Sequence, residues 1–493
     1  MSDQSGNGDH PYDQRALDAI ADAEPYPFWL ESADIPESNP TLVRDEHCDL
    51  CIVGGGFVGL WTAIELKRRA PTLDVMIVEA DICGGGASGR SSGMVLPQWV
   101  KFAALEELCG TEGALAFCRA SAATVGSIAA FCALEGIDAE FRPDPWLWAA
   151  TSESQRGAWR SIVENFDRHG AAPFREMSGP EIQAEMDMPG LLEGVRMDGT
   201  ATLQPAKLVR GLRRVALARG VRIHENTAMT RLERTAPPRA HVSGGCVTAG
   251  CVILTMNAWS MRFPELRSAV LVISSDDAIT APVPEKLAQA RYIAKPLISD
   301  SQTFVTGLRT TMDNRLNPGI SGGEIGYGGL GARRFEGRST REAAIRACVR
   351  RASPGLADIP FVDSWSGPID RTRSGLPLFG RMAGAPNVLY GYGFSGNGIA
   401  TAPLAARILA SLALGEVDEW SRCGLVRPPE YWLPPEPIRY LGAHAVRRAI
   451  RRKDSLGHLG RKPGPVARWL AGMAPGGIVT TRLRKDHQRG ERP

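Results

Sequence analysis

The chain lacks a leader-like start: its first residues, MSDQSGNGDHPYDQ, are polar and acidic, with no basic stretch running into an apolar one. Uninterrupted apolar runs fall short of the about 18 residues a bilayer span needs, so no transmembrane segment is expected and a cytoplasmic protein follows. A second C-x-x-C is missing. The single pair, Cys48 and Cys51 in C-D-L-C, therefore completes neither a zinc set nor a disulfide framework, and reads as two residues approaching a buried strand. The remaining cysteines (Cys83, Cys109, Cys118, Cys132, Cys246, Cys251, Cys348 and Cys423) are scattered among apolar neighbours, where free Cys acts as a small hydrophobe. Reduced thiols and no metal site are expected. Internal repeats are absent, and no histidine occurs between His241 and His444. At 493 residues with 43% hydrophobic content, the chain predicts two interleaved domains with appendages rather than one core.

What is present starts at Asp49. The segment DLCIVGGGFVG is an apolar strand leading into G-x-G-x-x-G at Gly54, Gly56 and Gly59, with Glu79 ending a second strand, VMIVEA. Gly54 permits the tight turn, Gly56 lets backbone approach a pyrophosphate, and Gly59 lets the helix lie close on the strand. Phe57 and Val58 open that helix, whose unpaired N–H groups and positive dipole end favour phosphate. Leu60, Ala63, Ile64 and Lys67 continue it to Arg69, before Pro71. Glu79, followed by Ala80, would accept ribose hydroxyls and disfavour a 2′-phosphate. Strand, glycines, helix, strand and acid together argue against a chance Gly-rich loop in some other α/β protein.

The continuation, ADICGGGASGRSSGMV from Ala80 to Val95, resembles the flavin-dependent amine and amino-acid oxidoreductases, the family of D-amino-acid, glycine, sarcosine and γ-glutamylputrescine oxidases. In that family this loop wraps the flavin, so the resemblance gives Ala87, Ser88, Arg90, Ser91, Ser92, Gly93 and Met94 that role. A second match runs from Trp365 to Glu416, where a Trp-x-Gly strand, an L-P-x-x-G turn, a strand and a Gly-rich loop return the chain to the flavin. There the resemblance implicates Gly367, Asp370, Gly393, Phe394, Ser395, Gly396, Asn397, Gly398 and Ile399. Backbone N–H groups of such a loop would favour negative charge on the reduced ring. A softer match, Ala201 to Trp259, ends in CVILTMNAWS. Thr255 and Asn257 there, with Met256, depart from the family's usual A-T-G-A-W-like ending, which Trp259 keeps.

The resemblance implies an α/β fold: a Rossmann-like FAD-binding domain of discontinuous segments, 46–108, 190–262 and 360–416, with a strand-rich substrate domain from 109–189 and 263–359. Of the latter, 109–189 reads as helical. The runs SQTFVTGLRTTMDNRLNPG and EIGYGGLGARRF in 263–359 read as short strands separated by turns. Residues 1–45 are an N-terminal extension. Residues 417–493 form a basic one: from Ile438 on, fourteen Lys or Arg face three acids, a local +11 in a chain whose total is +3. Such a segment packs on its own body or a partner subunit, or attracts nucleic acid or anionic lipid. Packing is the favoured reading and nucleic acid the disfavoured one. Within it, AHAVRRAIRRK has the spacing of a surface helix, and the terminal KDHQRGERP is expected to be disordered.

The resemblance implies oxidation of a C–N bond in an amine or amino acid, with hydride passing to flavin N5 and an imine left for hydrolysis. Oxygen or another acceptor would then reoxidise the flavin. Alcohol oxidation commonly uses a His base, and the histidine gap spans the regions that would supply it. Covalent attachment in relatives uses Cys or His near the ring. Residues 90–94 and 368–373 contain neither, so noncovalent FAD is expected. For a substrate carboxylate, Arg309 and Arg315 are candidates, and Trp99, Tyr327 or Tyr392 would supply an apolar or cation-binding wall. Arg371 and Arg373 beside Asp370 are placed at the flavin face. Hydroxy-acid oxidation or a biosynthetic tailoring step in the same fold is the alternative, and a binding protein working through its basic tail is a minor one.

Overall fold

The computed structural model describes residues 27–33, 37–329, 335 and 337–474. The terminal KDHQRGERP and most of the N-terminal extension lie outside them.

Two large sheets organise the chain. The first is built around a parallel core in which Glu46–Val53 sits between Val75–Val78 and Gly245–Leu254, with Arg222–His224 and Ala385–Tyr392 outside these. Each central strand reads as an apolar run because helices cover the sheet. Phe57–Arg69 buries Leu60, Ala63 and Ile64, and Ala402–Leu414 packs beside it. Parallel pairing requires crossovers, which is why strands from three distant stretches lie side by side. Cys48 and Cys51 both fall on Glu46–Val53, and all ten cysteines are free thiols.

The second sheet has eight strands in the order Phe361–Thr372, Val270–Thr280, Leu316–Ile320, Thr306–Thr310, Leu297–Asp300, Trp146–Ala150, Glu193–Met197 and Arg175–Ser178. Glu193–Met197 and Phe361–Thr372 were expected with the nucleotide segments, yet both pair here. The 109–189 stretch is also not wholly helical. After the helix Phe102–Glu135 it contributes Trp146–Ala150, WLWAA, buried at every position. So short an apolar run carries no periodicity that separates helix from buried strand. Thr306–Thr310 and Leu316–Ile320 are two of the expected short strands, paired antiparallel as a hairpin. Of EIGYGGLGARRF, the described EIGYGG gives one isolated bridge, Ile325 to Ile273, and a short 3₁₀ segment at Tyr327–Gly329, while 330–334 lie outside the described residues.

Among the described residues one helix, Gln98–Glu135, is long and apolar enough by length and composition to cross a membrane. A buried core helix meets the same two criteria, so this segment does not overturn the expectation drawn from uninterrupted runs. Gly110, at φ 69, breaks its helical geometry. Phe117, Cys118, Val125 and Ile128 join the core, and Thr124 Oγ1 donates to the Ala400 carbonyl at 2.7 Å.

The basic extension forms the helix Ile438–His458, longer than the AHAVRRAIRRK stretch. Arg447 reaches Glu324 at 3.2 Å and the Gly322 carbonyl at 3.2 Å, and Asp454 accepts from the Phe304 N–H at 3.4 Å. These contacts hold it against the loops that flank the second sheet.

Candidate active site

At the end of Glu46–Val53 the backbone turns at Gly54, whose φ of +111 few side chains tolerate. A Cβ at Gly59 would overlap the Gly54 carbonyl oxygen, so the first helical turn lies directly on the loop. Phe57 N–H donates to Ser88 Oγ at 3.0 Å. The flavin loop predicted from 87–94 thereby caps the helix that follows the glycines. Glu79 accepts from the Gly55 N–H at 2.6 Å and the Asp81 N–H at 3.0 Å. Burial nevertheless pushes its carboxyl up to about 7, against the lowering effect of those two bonds. Glu79 therefore fixes the loop as well as offering oxygens to a ribose.

Three distant segments meet at Asp370, which is 1% exposed. It accepts from the Gly393 N–H at 2.5 Å and the Ser395 N–H at 3.4 Å. The Asn257 amide, oriented to donate, reaches its two oxygens at 2.7 and 2.8 Å. Asn257 holds φ 47, a left-handed conformation that Asn accepts more readily than most residues. Desolvation raises the Asp370 carboxyl to about 7, opposed by these donors.

Between the two sheets lies a cavity of ≈ 420 Å³. Its wall includes Gly54, Gly56, Phe57, Val58, Glu79 and Ala80 from the first motif, and Ala87, Ser88, Arg90, Ser91, Ser92, Gly93 and Met94 from the loop. Thr255, Asn257 and Trp259 join them, with Gly367, Asp370, Phe394, Ser395, Gly396, Asn397, Gly398 and Ile399. Gly59 and Gly393 stand behind the wall, supporting Gly54 and Asp370. The residues fit a flavin dinucleotide on a structural ground too: Ser91 Oγ is buried at the wall without a hydrogen-bond partner among the described residues.

The five substrate candidates are not part of this wall. Arg309 lies beneath Gly93, donating to the Leu203 carbonyl and Asn317 at 3.2 Å each and lying 4.8 Å over the Trp29 ring. Arg315 pairs with Asp313 at 2.6 Å and covers Phe28. Trp99 packs edge-on against Phe166 at 5.4 Å. Tyr327 is 59% exposed beside Tyr440 on the C-terminal helix. Tyr392 is wholly buried, its hydroxyl donating to the Leu266 carbonyl at 3.4 Å. Of the arginines flanking Asp370, Arg371 lines the cavity while Arg373 is exposed.

Sequence reading missed Lys101 and Asp277, both in the wall and nearly buried. Burial, reinforced by Arg371, lowers the Lys101 ammonium to about 7, and burial raises the Asp277 carboxyl to about 7. A signal for the acid existed. Adjacent residues on a strand point to opposite faces, so the Asp276–Asp277 pair within VLVISSDDAIT puts one acid on each side of the sheet. Asp276 is paired with Arg341 at 2.8 Å and accepts from Ser339 and Ser366. Its neighbour faces the cavity.

Comparison with known proteins bears on the same stretch. The family model described as "FAD dependent oxidoreductase" (DAO) matches residues 49–412. γ-Glutamylputrescine oxidoreductase of Escherichia coli (strain K12) is 26% identical over 422 residues, covering 83% of this chain and 92% of that protein. Glycine oxidase of Geobacillus kaustophilus is 24% identical over 385 residues, 74% of this chain and 92% of its own. The crystal structure of the Geobacillus kaustophilus enzyme superimposes with a TM-score of 0.62 at 21% identity, covering 76% of this chain and 96% of that one. That of L-proline dehydrogenase from P. horikoshii gives 0.62 at 18%, covering 76% and 95%.

Proposed function

The chain belongs to the FAD-dependent oxidoreductase (DAO) family, whose model matches residues 49–412, and from that premise we propose that it oxidises a carbon–nitrogen bond of an amine or amino acid. The observation that carries this reading is one continuous cavity running from the dinucleotide loop to the second sheet, with no His or Cys among its lining residues. FAD, when bound, supplies the hydride acceptor. The chain's own groups hold it: the Gly54–Gly59 turn and the first helical turn at the diphosphate, Glu79 at the ribose, and the loops 87–94 and 393–398 around the ring.

Without a histidine in the wall, an alcohol lacks the usual proton acceptor, whereas an unprotonated amine needs none. Wall residues near neutrality, Asp277 and Lys101, suit a site that must take up amines arriving as ammonium ions. The absence of Cys and His from the wall also supports noncovalent FAD. The names of relatives, γ-glutamylputrescine oxidoreductase and glycine oxidase, agree with amine chemistry. The basic helix Ile438–His458 docks on its own chain through Arg447, which favours intramolecular packing over a nucleic-acid role.

The test is spectroscopic. Acid precipitation of the purified protein should leave the yellow flavin in the supernatant, and anaerobic addition of one class of amines should bleach the visible band. Bleaching by hydroxy acids and by no amine would overturn the reading. Reoxidation in air then separates an oxidase from a dehydrogenase.

A further inference from the structure

One row of side chains crosses the second sheet at the cavity. Asp277 stands opposite Gly319, Gly319 opposite Gly307, and Gly307 opposite Ser299, and all four line the cavity wall. Two adjacent glycines in the middle of a sheet remove the side chains that would otherwise fill the space, since glycine weakens a strand and packs nothing. The result is a trough with a carboxylate at one end and a hydroxyl at the other, lidded over Gly307 by the Met94 methyl, which a Cβ there would meet at 3.0 Å. A Cβ at Gly319 would overlap Asp277 Oδ1, so the carboxylate leans over the trough floor. Trp146 donates to Ser299 Oγ at 3.0 Å and forms an apolar side at that end.

Asp277 is 8% exposed and accepts no side-chain or backbone hydrogen bond among the described residues. The nearest cation acting on it is Arg309, whose guanidinium is already committed to Asn317 and the Leu203 carbonyl. Lys101 is influenced by Arg371 instead. Arg371 lies opposite Leu271, six positions from Asp277 along the same strand, a rise of about 20 Å. Neither Lys101 nor Arg371 is among the groups acting on Asp277, and Arg309, which does act on it, is turned to other acceptors. A buried carboxylate without a partner is costly, and a cation brought by a ligand repays that cost.

We propose that Asp277 receives the cationic nitrogen of an amine substrate and that the Gly319–Gly307 trough holds the aliphatic chain attached to it. The inference rests on the amine-oxidising reading above and narrows it: alkyl amines, diamines included, are the substrate class, rather than molecules recognised solely through a carboxylate. Ser299 at the trough's far end suits a polar terminus on that chain.

The experiment uses FAD-loaded protein and a cation that cannot be oxidised at nitrogen. Choline and its uncharged carbon isostere, 3,3-dimethylbutan-1-ol, are titrated by calorimetry into the wild type, Asp277→Asn and Asp277→Glu. The expected result is that the wild type prefers the cation by at least about tenfold, that Asp277→Asn loses the preference, and that Asp277→Glu restores most of it. Should Asp277→Asn not fold, Gly319→Ala, which displaces the carboxylate, is read in the same titration and should lose the preference. Preference unchanged in these variants overturns the proposal, as does a loss of bound FAD from Asp277→Asn with the cation preference intact. The two readings fail separately. A cation preference in a protein whose flavin no amine bleaches leaves the subsite standing and removes the oxidase reading. Equal KM for amines in wild type and Asp277→Asn removes the subsite and leaves the reading.

Discussion

The side-chain amide of Asn257 donates to both carboxylate oxygens of Asp370, at 2.8 and 2.7 Å, across 113 residues of chain. Because Asp370 also takes the Gly393 N–H, the contact ties a strand end, the second sheet and the Gly-rich loop at one buried point. Asp370→Ala should leave these donors without an acceptor at a cost of about 1–3 kcal/mol. Thermal unfolding should show the loss, and FAD content after gel filtration should fall with it. Asn257→Asp should do the same for a different reason, by placing a second acid against the first.

Gly59→Ala should weaken FAD binding by at least about tenfold, near 1.4 kcal/mol, because its Cβ overlaps the Gly54 carbonyl oxygen and forces the turn away from the helix. Equilibrium titration of the apoprotein with FAD measures this. Gly136→Ala serves as a control for general glycine effects, since it caps a helix well away from the cavity at φ 61 and meets no atom.

Ser88→Ala should reduce stability by about 1 kcal/mol, as loss of a helix cap does, since Ser88 Oγ accepts the Phe57 N–H at 3.0 Å. Chemical denaturation gives the value. Added FAD should recover part of it by binding only the folded state.

The pH dependence has a defined sign at Lys101. Burial lowers its ammonium from 10.5 to about 7. Between those values the unfolded chain keeps a proton that the folded one has released, so this group's contribution to stability increases as pH rises through that window. Lys101→Met should flatten the rise above pH 7 in melting temperature across a buffer series. Glu79, Asp277 and Asp370 act oppositely, each raised from its ordinary acid value to about 7. Their contribution is lost as pH climbs from about 4 to about 7, and Asp370→Asn should remove its share of that slope.

Legibility in the sequence divides along the cavity. The place of residues such as Gly54 and Glu79 in the cavity wall was legible because their conformations are written locally: a glycine where φ is +111 at Gly54, and an acid closing the next strand at Glu79. The far side depends on which face of a strand a residue takes and on what stands in front of it. Arg309 and Arg315 sit in the strand-rich segment expected to carry substrate contacts, yet one lies beneath Gly93 and the other covers Phe28. Nothing in the spacing of GLRTTMDNRL distinguishes those outcomes. Asp277 carries no local mark of its own in the sequence, since an acid within a strand is usually a solvated face, and only the neighbouring Asp276 shows that one of the two must point inward. Trp146–Ala150 was lost to the ambiguity of short apolar runs, and with it the strand that brings Trp146 to the wall.

The junction at Asp370 also sets an order of events during synthesis. A ribosome that has completed the Gly54–Gly59 turn has made only one side of the nucleotide seat, and its counterpart at Gly393 emerges more than three hundred residues later. Flavin therefore cannot be gripped by the nascent chain in the way the finished protein grips it. Yellow colour in an expression culture is then a reporter of polypeptide made at least through the Gly393 loop, and chains truncated before it should be colourless.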